Sequence, residues 1–200
     1  MSFYSKAKFL LAGLIRKLWR IQVVHSENER PEKTYLICAN HQSLLDPVLL
    51  GAAIRHNPRY MAKAELQKIP LLKQLIVALG AYFVDRGGTD VSAIKKTISM
   101  LKEGESVIMF PQGTRHRGVD PKTTKVKFGC AMIAVRADVP VLPIFIEVKN
   151  YRIRLFRKTV IHIGKEISPE ELDAVAESPE DYRHGAELIF SRILALSEET

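Results

Sequence analysis

Apolar positions along this chain follow first a helical period and then a strand period. On a helical wheel of about 100° per residue, Phe3, Tyr4, Ala7, Leu10, Leu11, Leu14, Ile15, Leu18 and Trp19 share one half. Lys6, Arg16, Lys17 and Arg20 occupy the other half, and only Lys8 and Phe9 fall on the wrong faces. The spacing predicts an amphipathic helix within residues 1–24. After a polar stretch containing Pro31, residues 35–39 form a short apolar, β-prone run that suits a buried strand and delivers Asn40 and His41 at its end. Asp46 before Pro47 reads as an N-cap and a first helical residue, opening a helix through 55. Short strands are predicted over 60–62, 81–84 and 106–110, and helices over 70–79, 89–103 and 128–137. A loop over 111–126, a strand over 139–146 interrupted by Pro140 and Pro143, and a hairpin of 152–156 with 159–163 follow. Helices starting at Pro169 and Pro179 complete the order. Strands alternating with helices imply an α/β fold. We expect a single domain with a largely parallel mixed sheet flanked by helices, over 25–200, preceded by the N-terminal amphipathic helix of 1–24. Ligands then belong outside the C-terminal ends of the strands.

Composition narrows the class. With 200 residues, 46% hydrophobic and 26% charged, the chain matches a globular domain rather than a disordered or disulfide-built one. Cys38 and Cys130 lie far apart without a Cys-x-x-Cys pair, so both read as reduced core residues, and no metal site is expected. The longest apolar run is far below the ~18 residues of a membrane span. The apolar stretch after Phe9 lacks a signal-peptide cleavage site, so the protein is expected to stay in the cytoplasm. Charge is unevenly placed: residues 1–165 hold 28 Lys and Arg against 12 acids, and residues 166–200 hold 2 against 10. The basic part should meet something anionic, which leaves nucleic acid, an anionic membrane face or phosphorylated small molecules. Arg152, Arg154, Arg157 and Lys158 stand in the expected hairpin without a base-reading module, so they read as a solvated edge and no nucleic-acid partner is expected. The N-terminal helix fits two placements, lying in a membrane interface or docked on the protein's own core.

Three loops that follow predicted strands carry the candidate chemistry. The first holds His41 and Asp46, the second Asp85-Arg86-Gly87, and the third Gln112-Gly113-Thr114-Arg115. A histidine in a loop and an aspartate at the next helix start can meet. The carboxylate then fixes the imidazole tautomer and leaves the other nitrogen as a base. The plainer alternative is a histidine bonded to a backbone carbonyl and an aspartate that only caps its helix. Ser43 lacks the glycines of a nucleophile elbow and reads as a turn or capping residue. In the third loop the glycine permits a tight turn and the arginine offers a planar fork to phosphate oxygens.

Taken together these blocks resemble a known family. Asn40-His41-Gln42-Ser43-Leu44-Leu45-Asp46 is similar to the Asn-His-four-residue-Asp signature of the glycerolipid acyltransferases, the lysophosphatidate acyltransferase family. Gly80-Ala81-Tyr82-Phe83-Val84-Asp85-Arg86 resembles that family's second block, Phe110-Pro111-Gln112-Gly113-Thr114-Arg115 its third, and Val139-Pro140-Val141-Leu142-Pro143 its fourth. The resemblance implies an acyltransferase that moves a fatty acyl chain from an acyl thioester, acyl-CoA or acyl carrier protein, to the free hydroxyl of 1-acyl-glycerol-3-phosphate. The product would be phosphatidate. It implies His41 as general base and Asp46 as its orienting partner, with Lys63, Arg86 and Arg115 binding the acceptor's phosphate. Gln112, Gly113 and Thr114 would position substrate, the Gly113 N–H being a candidate oxyanion donor. No cofactor or metal is implied. A lysophosphatidate-like acceptor at the cytoplasmic face of the cell membrane, met as a peripheral protein, is the expected setting, with the amphipathic helix of 1–24 expected to lie in the membrane interface. Gln112 departs from the family's usual glutamate, losing a charge and gaining a donor. That keeps open a related lysophospholipid or other glycerolipid acyltransferase, or a lipid-binding pseudoenzyme.

Overall fold

Parallel strands need long crossovers, and the predicted alternation supplies them. The computed structural model describes residues 3–63, 67–68, 73–74, 77, 80–84, 91–172 and 179–198, with the backbone alone for 3–10, 63 and 84. Among these residues the strands are β1 (Ile21–Val24), β2 (Leu36–Ala39), β3 (Arg59–Lys63), β4 (Ala81–Val84), β5 (Val107–Met109), β6 (Val141–Val148) and β7 (Thr159–Ile163). The helices are α1 (Phe3–Leu18), α2 (Asp46–Ala53), α3 (Val91–Lys102), α4 (Gly129–Ala137) and α5 (Pro179–Ala195). One sheet runs in the order β1-β7-β6-β2-β5-β3-β4. All neighbours are parallel except β6 and β7, which pair antiparallel from Ile144 with Ile163 to Val148 with Thr159.

The central strand β2 is apolar throughout because both its faces are covered. Side chains alternate along a strand, so Leu36 and Cys38 join the core built with α3, α4 and α5. Tyr35, Ile37 and Ala39 enter the core on the opposite face, with Leu50 and Ala53 of α2. Cys38 and Cys130 are buried free thiols in the first of these cores. A smaller cluster joins α1 to α2: Ile15 is buried against Leu49 and Ala52, with Leu11, Ala12 and Trp19 partly buried beside it. The second half of α1 is therefore docked on the protein, while Leu14 stays 53% exposed.

Four expectations change. The helix within 1–24 stops at Leu18, and Ile21–Val24 is the edge strand β1, pairing with β7. Segment 152–156 is not a strand. The hairpin forms between β6 and β7 instead, because Asn150, Tyr151 and Phe156 take positive φ angles of 55°, 53° and 58° that break an extended run. Strand β6 runs unbroken through Pro143. The Pro143 carbonyl accepts from Gly164, one residue past the end of β7, so the missing N–H faces that side and the parallel pairing of β6 with β2 continues through Pro143. Asp46 is the first residue of α2 rather than its N-cap, which is Leu45. The expected helix over 70–79 lies largely outside the described residues.

Candidate active site

Strands β2, β5 and β3 are adjacent and parallel, so the segments that follow them open on one edge of the sheet. The end of β2 is held by Asn40, whose side-chain amide stands in for a peptide: its Nδ2 donates to the Ile146 carbonyl at 3.1 Å, and its Oδ1 accepts from the Ile146 N–H at 2.7 Å. The chain then turns through 41–45. Ser43 Oγ accepts from the Leu45 N–H at 3.2 Å, which gives this serine its turn role.

Asp46, fully buried, does not cap the helix it opens. Its Oδ2 turns back and accepts from His41 Nδ1 at 2.7 Å, from the Gln42 N–H at 2.7 Å and from the Ser43 N–H at 2.8 Å. One carboxylate oxygen thus fixes both the loop backbone and the imidazole. Because Asp46 takes the Nδ1 hydrogen, Nε2 carries the free lone pair. Among the described residues Nε2 has no partner, and the His41 side chain keeps 15% of its surface open. Phe110 lies flat against the ring, with centroids 3.8 Å apart and planes 12° from parallel. Nearby, Asp46 Oδ1 and both amide atoms of Gln42 are buried without a partner. Such debits of about 1–3 kcal/mol per group are carried at functional sites more readily than elsewhere.

Gln112 reaches the same loop from β5. Its Oε1 accepts the His41 backbone N–H at 2.6 Å and its Nε2 donates to Thr124 Oγ1 at 2.7 Å. The carbonyl of His41 in turn accepts from the His116 N–H at 2.9 Å. Both peptide groups of His41 are therefore clamped by the 112–116 turn. Gly113 makes that turn with φ +69°, and a Cβ there would lie 2.8 Å from Lys127 Cδ, so no other residue fits without displacement.

The Acyltransferase family model matches residues 20–147. The chain belongs to that family. It is 31% identical over 139 residues to the 1-acyl-sn-glycerol-3-phosphate acyltransferase of Bacillus subtilis, covering 69% of this chain and 68% of that protein. The enzyme of the same name from Streptococcus pneumoniae is 32% identical over 146 residues, covering 71% of this chain and 53% of that protein. The chain spans about half the length of several curated relatives it matches. Its fold superposes on the crystal structure of the 1-acyl-sn-glycerophosphate acyltransferase PlsC from Thermotoga maritima with a TM-score of 0.71 and 29% identity, over 99% of this chain and 83% of that one.

For this member of the family, His41, Asp46, Gln112 and Gly113 come together as described. Thr114 and Arg115 are exposed on the same turn, and Arg115 has no bonding partner among the described residues. Lys63 is the last residue of β3, at the same edge of the sheet. Arg86, with its loop, lies outside the described residues. One expectation is corrected: the Gly113 N–H donates to the Phe110 carbonyl at 3.0 Å, so it is not free to meet an oxyanion. The roles of Asn40, Phe110 and Thr124 were not visible in local spacing, because each acts on a residue distant in sequence. Among the described residues no helix is long and apolar enough to cross a membrane.

Proposed function

We propose that this protein transfers a fatty acyl group from an acyl thioester to the free hydroxyl of 1-acyl-glycerol-3-phosphate, giving phosphatidate. The observation that carries this reading is the His41 Nδ1 to Asp46 Oδ2 bond of 2.7 Å, with Nε2 left unpartnered at the ligand edge of the sheet. The relatives named 1-acyl-sn-glycerol-3-phosphate acyltransferase support the acceptor. In the reaction, Nε2 accepts the acceptor's hydroxyl proton as that oxygen attacks the thioester carbonyl. The new C–O ester forms, the C–S bond breaks, and the imidazolium returns the proton to the departing thiolate. No covalent enzyme intermediate and no cofactor enters this sequence. Arg115 binds the acceptor's phosphate with Lys63 and Arg86, and the donor is acyl-CoA or acyl carrier protein. Since the acceptor is an amphiphile, the protein works as a peripheral protein at the cytoplasmic face of the membrane.

The deciding experiment supplies purified protein with lysophosphatidate and an acyl thioester. Wild type should form phosphatidate, and His41→Ala should lower kcat by about 10²–10⁴ with the fold intact by circular dichroism. Asp46→Asn should be comparably severe, since the amide can favour the wrong tautomer. Near-normal transfer by His41→Ala would remove the general-base mechanism.

A further inference from the structure

The loop joining β6 to β7 reaches solvent at the edge that carries His41. Lys149, Arg152, Arg154, Arg157 and Lys158 line a cleft there of about 420 Å³ and are all exposed. Segment 149–158 contains no acid. Between these cations Leu155 and Phe156 stand 48% and 63% exposed. Phe156 holds φ +58°, a left-handed conformation that bulky residues avoid, and its N–H is tied to the Leu18 carbonyl at 2.8 Å. The backbone is thus strained to keep an aromatic side chain in solvent, which folding alone does not reward.

Topology adds a second basic element. Strand β1 runs parallel to β7 with Ile21 opposite Thr159, which sets the end of α1 beside the loop. Arg16, Lys17 and Arg20 are exposed there, and residues 1–24 contain no acid. The loop is also linked to the candidate base: the Gly118 N–H donates to the Tyr151 carbonyl at 2.9 Å, two residues beyond the His116 N–H that meets the His41 carbonyl.

We infer that the 149–158 loop and the end of α1 form the surface by which this protein docks on an anionic phospholipid bilayer. Leu155 and Phe156 enter the headgroup region while the surrounding cations meet lipid phosphates. The inference rests on the acceptor proposed above being held in a bilayer, and it deepens that reading by naming the side of the molecule that faces the lipid. The phosphates of a soluble thioester donor would match the charge of the cleft, but they leave the exposed Leu155 and Phe156 without a role. A bilayer uses both, since amphipathic surfaces bind lipid by apolar insertion together with attraction to anionic headgroups.

The test is vesicle flotation of the full chain with phosphatidylcholine alone and with three parts phosphatidylcholine to one part phosphatidylglycerol. Wild type should float with the anionic vesicles and be released in part by salt. Each cation near an anionic surface multiplies partitioning by roughly fivefold, so Arg154→Glu with Arg157→Glu should lower binding at least about tenfold. Leu155→Ser with Phe156→Ser should weaken the salt-resistant share. Both pairs are exposed, and circular dichroism should show unchanged folds. As an independent readout, the emission that Phe156→Trp adds over that of wild type, whose Trp19 also emits, should shift to the blue on anionic vesicles. Flotation of both variants like wild type, or an unshifted emission, would overturn the docking surface. So would normal flotation with a raised KM for a water-soluble acyl-CoA, which would assign the cleft to the donor. Loop-dependent flotation without any acyl transfer would leave the docking surface standing and remove the acyl-transfer reading.

Discussion

A carboxamide and a carboxylate of equal size are not interchangeable at position 112. Gln112 accepts from the His41 N–H and donates to Thr124 Oγ1, and Thr124 passes its own hydrogen to the Pro121 carbonyl. The side chain is buried and spent on protein partners, so its departure from the family's usual glutamate concerns the placement of His41 more than a charge shown to substrate. Gln112→Ala orphans the His41 N–H and should cost about 1–3 kcal/mol, lowering kcat more than it raises KM. Gln112→Glu keeps the acceptor and should be milder in a thermal melt. Arg115→Ala should raise the acceptor's KM by the equivalent of about 1.5–3 kcal/mol for one charge-assisted bond, with Lys restoring only part because it lacks the fork. An acceptor lacking phosphate, used as well as lysophosphatidate by wild type, would contradict that assignment. At this scale the sequence was legible where partners are near: His41 and Asp46 are five residues apart. It was silent where they are far, as with Asn40 and Ile146, or His41 and Gln112.

Helix α2 carries Asp46 at one end and is pinned at the other by a buried ion pair. His56 donates from Nδ1 to Glu29 Oε1 at 2.6 Å and from Nε2 to the Lys33 carbonyl at 2.8 Å, while Glu29 also accepts the Arg55 and His56 amides. The hydrogen bond that His56 donates to Glu29 raises the His56 pKa above its ordinary 6.5, so its share of stability is present below 6.5 and lost as pH rises through the raised value. Burial would raise Glu29, but the bonds from His56 and the two amides outweigh it and lower the pKa below 4.5. Its share is present above 4.5 and lost as pH falls through the lowered value. The two act together between 4.5 and 6.5, so the melting temperature should be best supported there, and His56→Gln should flatten the alkaline limb of its pH profile. His56→Ala leaves the buried Glu29 carboxylate with its backbone amides but without a counter-charge, and should cost up to about 3–5 kcal/mol in a denaturant titration. Elements with unbroken apolar runs, such as β2 and α4, were legible. Strand β1 was not, because four residues abutting a helix offer too little alternation, and 152–156 imitated a strand because its cations alternate with apolar residues while its backbone angles do not follow.

The expected architecture, a largely parallel sheet flanked by helices, is the architecture observed, because β–α alternation constrains connection and handedness before any contact is known. The placement of α1 was undecided by pattern alone, and its docked half now limits what truncation can report. Removing residues 1–20 would uncover Leu49 and Ala52 and forfeit about 1.5–3 kcal/mol for Ile15 alone. The truncated protein should therefore melt earlier than full-length protein, so its lipid binding should be read beside a melting curve. The pairing of β1 with β7 also has a meaning in time. Ile21 meets Thr159, so a chain growing at ~5–20 residues per second makes its first strand many seconds before that strand's partner exists. Throughout that interval β1 is an open edge, ready to pair with whatever else presents one. A message truncated ahead of β7 would therefore yield a chain prone to aggregate rather than a smaller folded domain, and the molecule becomes safe only once Thr159–Ile163 has been made.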